Sequence, residues 1–176
     1  RVSLATGLYP HNHGFWGNEP KAMPTEWPTW MRTLREMGYR TSVIGKTHLH
    51  PHFADKDLRD FEHLLNAYGL DDVDEIGGPR ASQHLFSHMT DDWQEKGVWD
   101  TYKVDYAERF TNDPTTTRPS ALPLEDYADV YVGRRACEYL RAYDRDQPWF
   151  CWVSFGGPHE PWDAPEPYAS MYDPST

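Results

Sequence analysis

Twice along the chain an apolar run rich in β-branched and aromatic residues stops at glycine and gives way to a histidine. The first run is YRTSVIG at 39–45, followed by Lys46 and His48; the second is PWFCWVSF at 148–155, followed by Gly156, Gly157, Pro158 and His159. Runs of this length and composition, closed by Gly and Pro, predict buried strands. The first is preceded by PTWMRTLREMG at 28–38, where Trp30, Met31, Leu34 and Met37 recur at helical spacing between a starting Pro and a closing Gly. Helix, tight glycine turn, strand and loop make half of a βαβ-like unit, so the expected class is α/β, a mixed and largely parallel sheet flanked by helices. In open sheets of this kind ligands collect beyond the carboxyl ends of the strands. Lys46, His48 and His159 fall there. A histidine in a proline-rich loop is by itself an ordinary structural residue. Finding both loops at strand ends in one α/β pattern makes the three side chains site candidates.

The remaining segments are read around this frame. Ser3–Thr6 looks like a helix tail stopped by Gly7 and Pro10. Residues 57–67 form a short helix, 82–97 a surface helix, and 124–144 a helix with acids early and arginines late, matching the helix dipole. The stretch 111–123, TNDPTTTRPSALP, is too rich in Pro and Thr for regular structure. DDVDEIGG at 71–78 reads as a turn and strand whose Asp71, Asp72, Asp74 and Glu75 decorate a solvated acidic loop, because no register of hard-cation ligands is visible. The two thiols, Cys137 and Cys151, have neither zinc nor redox spacing and read as small buried residues without a disulfide. Trp16, Trp27, Trp30 and Trp162 suit a stacked sugar or aryl group but are assigned to the core.

Charge and composition exclude other classes. With 28 acidic against 17 basic residues, the formal charge is −11. That disfavours nucleic acid and anionic membranes, which need a basic footprint. Aromatic residues make up 15% of the 176 positions, too many for a disordered tail. Nine His is generous for this length and directs attention to a site. No apolar run reaches membrane-spanning length and no targeting segment is visible, so the compartment stays open.

Three blocks in order then carry a family resemblance. Arg1, four residues and Thr6-Gly7 reproduce the later part of Cys(or Ser)-x-Pro-Ser-Arg-x-x-x-x-Thr-Gly, and Tyr9-Pro10-His11 with His13-Gly14 continue it. Gly38-Tyr39-Arg40-Thr41 followed by Gly45-Lys46-Thr47-His48-Leu49-His50 resembles Gly-Tyr-x-Thr, a strand, and Gly-Lys-Trp-His-Leu-Gly. Phe155–Pro161 with Pro165 and Tyr168 resembles the strand, Pro-His-x-Pro and later Pro-x-x-Tyr of a third block. The chain thus resembles an internal stretch of a sulfatase of the alkaline-phosphatase superfamily. The resemblance implies that residues 1–176 are part of the N-terminal catalytic α/β domain, with the sheet incomplete in this chain. It further implies hydrolysis of a small-molecule or glycan sulfate ester through a formylglycine formed four positions before Arg1. A divalent metal, usually calcium, would be held by residues outside the chain, so no metal ligand is assigned within it.

Carried over by position, Arg1 matches the arginine beside the nucleophile and Lys46 the lysine that bridges nucleophile and sulfate. His48 matches the histidine that serves as base for the second half of turnover, and His159 the acid for the leaving group. Asn18 is a weaker match to a polar substrate contact. Thr47 and His50 depart from the usual Trp and Gly; His50 and His52 either extend the site or lie in solvent. A phosphonate monoester or phosphodiester hydrolase of the same superfamily is the alternative, and a catalytically inactive anion-binding module a third. Open sheet edges would favour self-association.

Overall fold

The computed structural model describes residues 1–172. Three parallel strands form one sheet in the order β2-β1-β3, with β1 (Arg40–Gly45) between β2 (Asp72–Glu75) and β3 (Trp149–Ser154). Ser42 stands opposite Asp72 on one side and Cys151 on the other. Parallel neighbours need crossover connections, and helices supply them. The helices are α1 (Val2–Thr6), α2 (Pro10–His13), α3 (Trp30–Glu36), α4 (Glu62–Ala67), α5 (His88–Glu95), α6 (Trp99–Asn112) and α7 (Ala128–Ala142).

The alternation of β1 explains the layering. Successive side chains of a strand point to opposite faces. Val43 joins a core with Val2, Ala5, Met31, Leu65 and Tyr68, beneath α1, α3 and α4. Its neighbour Ile44 joins the other core with Met89, Trp93, Tyr102, Tyr106 and Val132, from α5, α6 and α7. A central strand packed on both faces reads as an apolar run rather than an alternating one, which is why it was legible. α3 starts where Thr29 accepts a hydrogen bond from the Arg32 amide at 3.1 Å, and α1 ends at Gly7 in the left-handed region, φ 72°.

Several expectations are corrected. The segment 82–97 is not one surface helix. A 3₁₀ turn at Ala81–Gln83 is separated from α5 by Phe86, which bridges to Asp57, and by Ser87, whose side chain caps α5. Met89 and Trp93 of α5 are fully buried. The acidic stretch is not a solvated loop either. It is strand β2, where Asp72 pairs with Arg40, Asp74 with Arg135 at 2.7 Å, and Glu75 is buried. β3 is only half-buried, as an edge strand of the described sheet. Cys137 is exposed on α7 while Cys151 is half-buried, and both are free. Trp27 and Trp30 pack on the core, but Trp16 and Trp162 are exposed. α6, whose aromatic stripe Trp99, Tyr102 and Tyr106 is buried, has no counterpart among the sequence-derived elements. No described helix is long and apolar enough to cross a membrane.

Candidate active site

The site is built at the carboxyl ends of β1 and β3. Gly45 closes β1 at φ 113°, and a Cβ there would overlap the Ser154 carbonyl, so only glycine lets the two strand ends meet. Immediately beyond, the Lys46 amide donates to the Ser154 carbonyl at 2.9 Å and the Ser154 hydroxyl donates to the Lys46 carbonyl at 2.7 Å. The loop that carries Lys46 and His48 therefore leaves its strand bolted to the second.

Lys46 is 4% exposed. Burial, reinforced by the nearby Arg1 charge and opposed by Glu160, lowers its ammonium pKa to about 8. The ammonium lies against Gly78, where a Cβ would stand on it. Gly78 has an ordinary backbone conformation, so the chain tolerates alanine but Lys46 does not. In the full-length protein, Gly78→Ala is expected to leave the unfolding temperature unchanged while lowering turnover on the order of 10²-fold, because sub-ångström placement of the cation decides its effect. Thermal melts and initial rates on one preparation check this; normal rates would show that the Lys46 position is not demanding.

The loop after Lys46 is held from below by one carboxylate. Glu75 accepts from the Thr47 amide at 3.3 Å, from the Thr47 hydroxyl, from His50 Nε2 at 2.7 Å and from His52 Nε2 at 3.2 Å. Its burial opposes ionisation, but the hydrogen bonds from His50 and His52 hold its pKa well below the usual carboxylate range. Burial likewise opposes the His50 imidazolium, and the Glu75 hydrogen bond and charge overcome it, raising the His50 pKa. His50 and His52 are thus neither solvent residues nor part of the cavity floor alone: they anchor the loop. His52 also stacks face to face on His48, rings 4.8 Å apart and 12° from parallel.

His48 sits at φ 54°, a conformation disfavoured for a side chain with a Cβ and maintained by surrounding contacts. Burial, then the neighbouring His52, Lys46 and Arg1, lower its pKa to about 4, so the ring is neutral at pH 7. On β3's side, Asp129 at the start of α7 accepts from the Gly156 amide at 2.7 Å and the Gly157 amide at 3.1 Å, tying down the loop that carries His159. His159 Nδ1 faces the Glu160 carbonyl at 2.7 Å, which orients the ring. Buried Asp163, accepting from Tyr106 and Tyr127, secures the same loop further on.

Two adjoining cavities collect the candidates. One, about 460 Å³, is lined by Lys46, His48, His159 and Asn18; the other, about 330 Å³, by Arg1, His48 and Asn18. All five residues named from the sequence therefore border one bilobed cleft. A separate cavity of about 500 Å³ beside Trp99 and Lys103 holds none of them. Sequence reasoning missed Glu75, Gly78 and His13. His13 is buried and takes the Phe15 amide on Nδ1 at 3.0 Å while its Nε2 meets the Ser3 hydroxyl at 2.8 Å, fixing α2 against α1. The Glu75 signal was present as an acid inside a β-branched run before a Gly pair, and its neighbours' charge hid it.

The calcium expected of this family finds no fit among the described residues. The one cluster of His, Cys, Asp or Glu with metal-like spacing is His50, His52 and Glu75. Calcium takes six to eight oxygen donors, whereas this set has two imidazoles, and both carboxylate oxygens already accept hydrogen bonds.

The sulfatase family model matches residues 1–176. An arylsulfatase of Clostridium perfringens is 26% identical over 178 residues, covering 98% of this chain and 35% of its own length. PehA of Trinickia caryophylli, a multifunctional alkaline phosphatase superfamily protein, is 26% identical over 190 residues, covering 98% of this chain and 33% of its own. The chain thus spans about a third of these relatives. The crystal structure of a phosphonate monoester hydrolase of Agrobacterium radiobacter superposes with a TM-score of 0.59 at 22% identity, covering 99% of this chain and 34% of that one. Its architecture is shared: parallel strands, flanking helices, and loops beyond the strand ends. With the family model matching from end to end, the chain belongs to the sulfatase family.

Proposed function

We propose that the full-length protein is a sulfuric ester hydrolase and that this chain supplies the cationic and proton-transferring part of its active site. The observation that carries the reading is Lys46, buried and cationic, sharing one cavity with His48 and His159. A formylglycine upstream of Arg1 would supply the nucleophilic oxygen that attacks sulfur. Arg1 holds the signature position beside it. Lys46 neutralises the sulfuryl oxygens as charge builds on them. His159 delivers a proton to the ester oxygen as the S–O bond breaks, so the leaving group departs as a neutral alcohol. His48, neutral at pH 7, accepts a proton when sulfate is released. No step is assigned to a metal.

A phosphonate monoester hydrolase is the rival reading, favoured by the fold shared with such an enzyme. Retention of both Lys46 and His48 supports the sulfatase reading over it. Initial rates of the full-length enzyme on phenyl sulfate and on a phenyl phosphonate monoester separate the two. Faster cleavage of the sulfate is expected; strong phosphonate cleavage without sulfate cleavage would sink the proposal. The residue four positions before Arg1 is expected to be Cys or Ser.

A further inference from the structure

The two lobes of the cleft are chemically unequal. Arg1, beside the nucleophile position, lines the smaller lobe together with Ser3 and His13. His159, the proton donor to the ester oxygen, lines the larger one together with Lys46, Arg80 and His84. A leaving group protonated by His159 therefore occupies the lobe that Arg80 borders.

Arg80 differs from most arginines of this chain. Arg35, Arg40, Arg59, Arg109, Arg118, Arg134, Arg135 and Arg145 all pair with carboxylates. Among the described residues Arg80 has no such partner, although the chain carries an excess of acids. Its guanidinium rests on the Phe110 ring, 4.0 Å from the centroid, which limits its freedom and leaves its donors available. Glu160, the one carboxylate lining this lobe, lies 3.4 Å from His159 Nδ1 and acts on the Lys46 charge. Lys46 is committed to the transferring sulfate. Arg80 is the other lysine or arginine that lines this lobe.

Resting on the sulfatase reading above, we propose that Arg80 binds a second anionic group, a carboxylate or sulfate, on the leaving group. The substrate class is then a sulfate ester of an acidic alcohol, such as a uronate-bearing or multiply sulfated saccharide, rather than a neutral aryl sulfate. The planar fork of arginine meets either anion with two parallel hydrogen bonds.

The test uses the full-length enzyme with 4-nitrophenyl sulfate and its ring-carboxylated counterpart, which differ in one negative charge. Arg80→Ala is expected to lower kcat/KM for the carboxylated ester about 10- to 100-fold, mainly through KM, as loss of a charged hydrogen bond does. The plain ester should stay within about twofold, and Arg80→Lys should restore part of the loss. Equal losses on both esters, or no loss on either, would overturn the proposal. If the wild type cleaves neither ester, the sulfatase reading fails separately, and calorimetric binding of the carboxylated nitrophenol decides for Arg80. Binding weakened by Arg80→Ala upholds it; equal binding, or none to the wild type, overturns it.

Discussion

Lys46→Ala in the full-length enzyme should lower kcat/KM by about 10²- to 10³-fold, the usual cost of removing one preorganised group that stabilises transition-state charge. Stability should move the other way. The Lys46 ammonium is held in a mostly buried position beside Arg1, and its pKa is driven down to about 8. A cation with a lowered pKa opposes folding while it is charged, so deleting it should leave the unfolding temperature unchanged or raise it. Loss of rate together with gain of stability separates a catalytic role from a structural one. The same value sets the pH dependence. As pH rises through about 8 the ammonium is lost, so the wild-type rate should fall on the basic side there. Near-normal turnover in Lys46→Ala, or a rate flat through pH 9, would refute the assignment.

Glu75→Ala should be strongly destabilising. It leaves Thr47, His50 and His52 without their acceptor, and breaking a buried ion pair costs about 3–5 kcal/mol. Glu75→Gln keeps the shape but turns an amide NH₂ toward either His50 or His52, which bond different carboxylate oxygens, so it should also destabilise. The sign of the pH effect follows from the two shifts. Glu75 has a lowered pKa in the fold, so its contribution is present above the unfolded value of 4.5 and lost as pH falls through the folded one. His50 has a raised pKa, so its contribution is full below the unfolded value of 6.5 and lost as pH rises through the folded one. The pair therefore stabilises most between those limits. Denaturant unfolding across pH should show a wild-type advantage over Glu75→Gln that is widest there. An advantage independent of pH would mean that packing, not the ion pair, holds the loop.

Legibility from sequence followed the range of the interactions. β1 and its loop were legible because a strand covered on both faces by Val43 and Ile44 must be apolar, and because Gly45 marks its end. α6 was not, because the hydroxyls that let Tyr102 and Tyr106 be buried find their partners far along the chain, at the Pro79 carbonyl and Asp163. Residue types alone gave Asp74 and Glu75 to solvent. Their counter-charges, Arg135, His50 and His52, lie 23 to 61 positions away, and no local pattern reports such pairing. Lys46, His48 and His159 were named from motif and strand-end position. That Gly78 makes room for Lys46 is a contact 32 residues apart, visible only once β2 lies beside β1.

The bolt between Lys46 and Ser154 joins positions 108 apart in the chain. Everything between those two strand ends, including the turn that carries Arg80, is tethered at both extremities to neighbours in one sheet. Changes in that stretch that spare Glu75, Gly78 and Asp129 leave the anchors of Lys46 and His159 in place. Within those anchors, the turn that carries Arg80 is free to vary in a way that the strand ends are not.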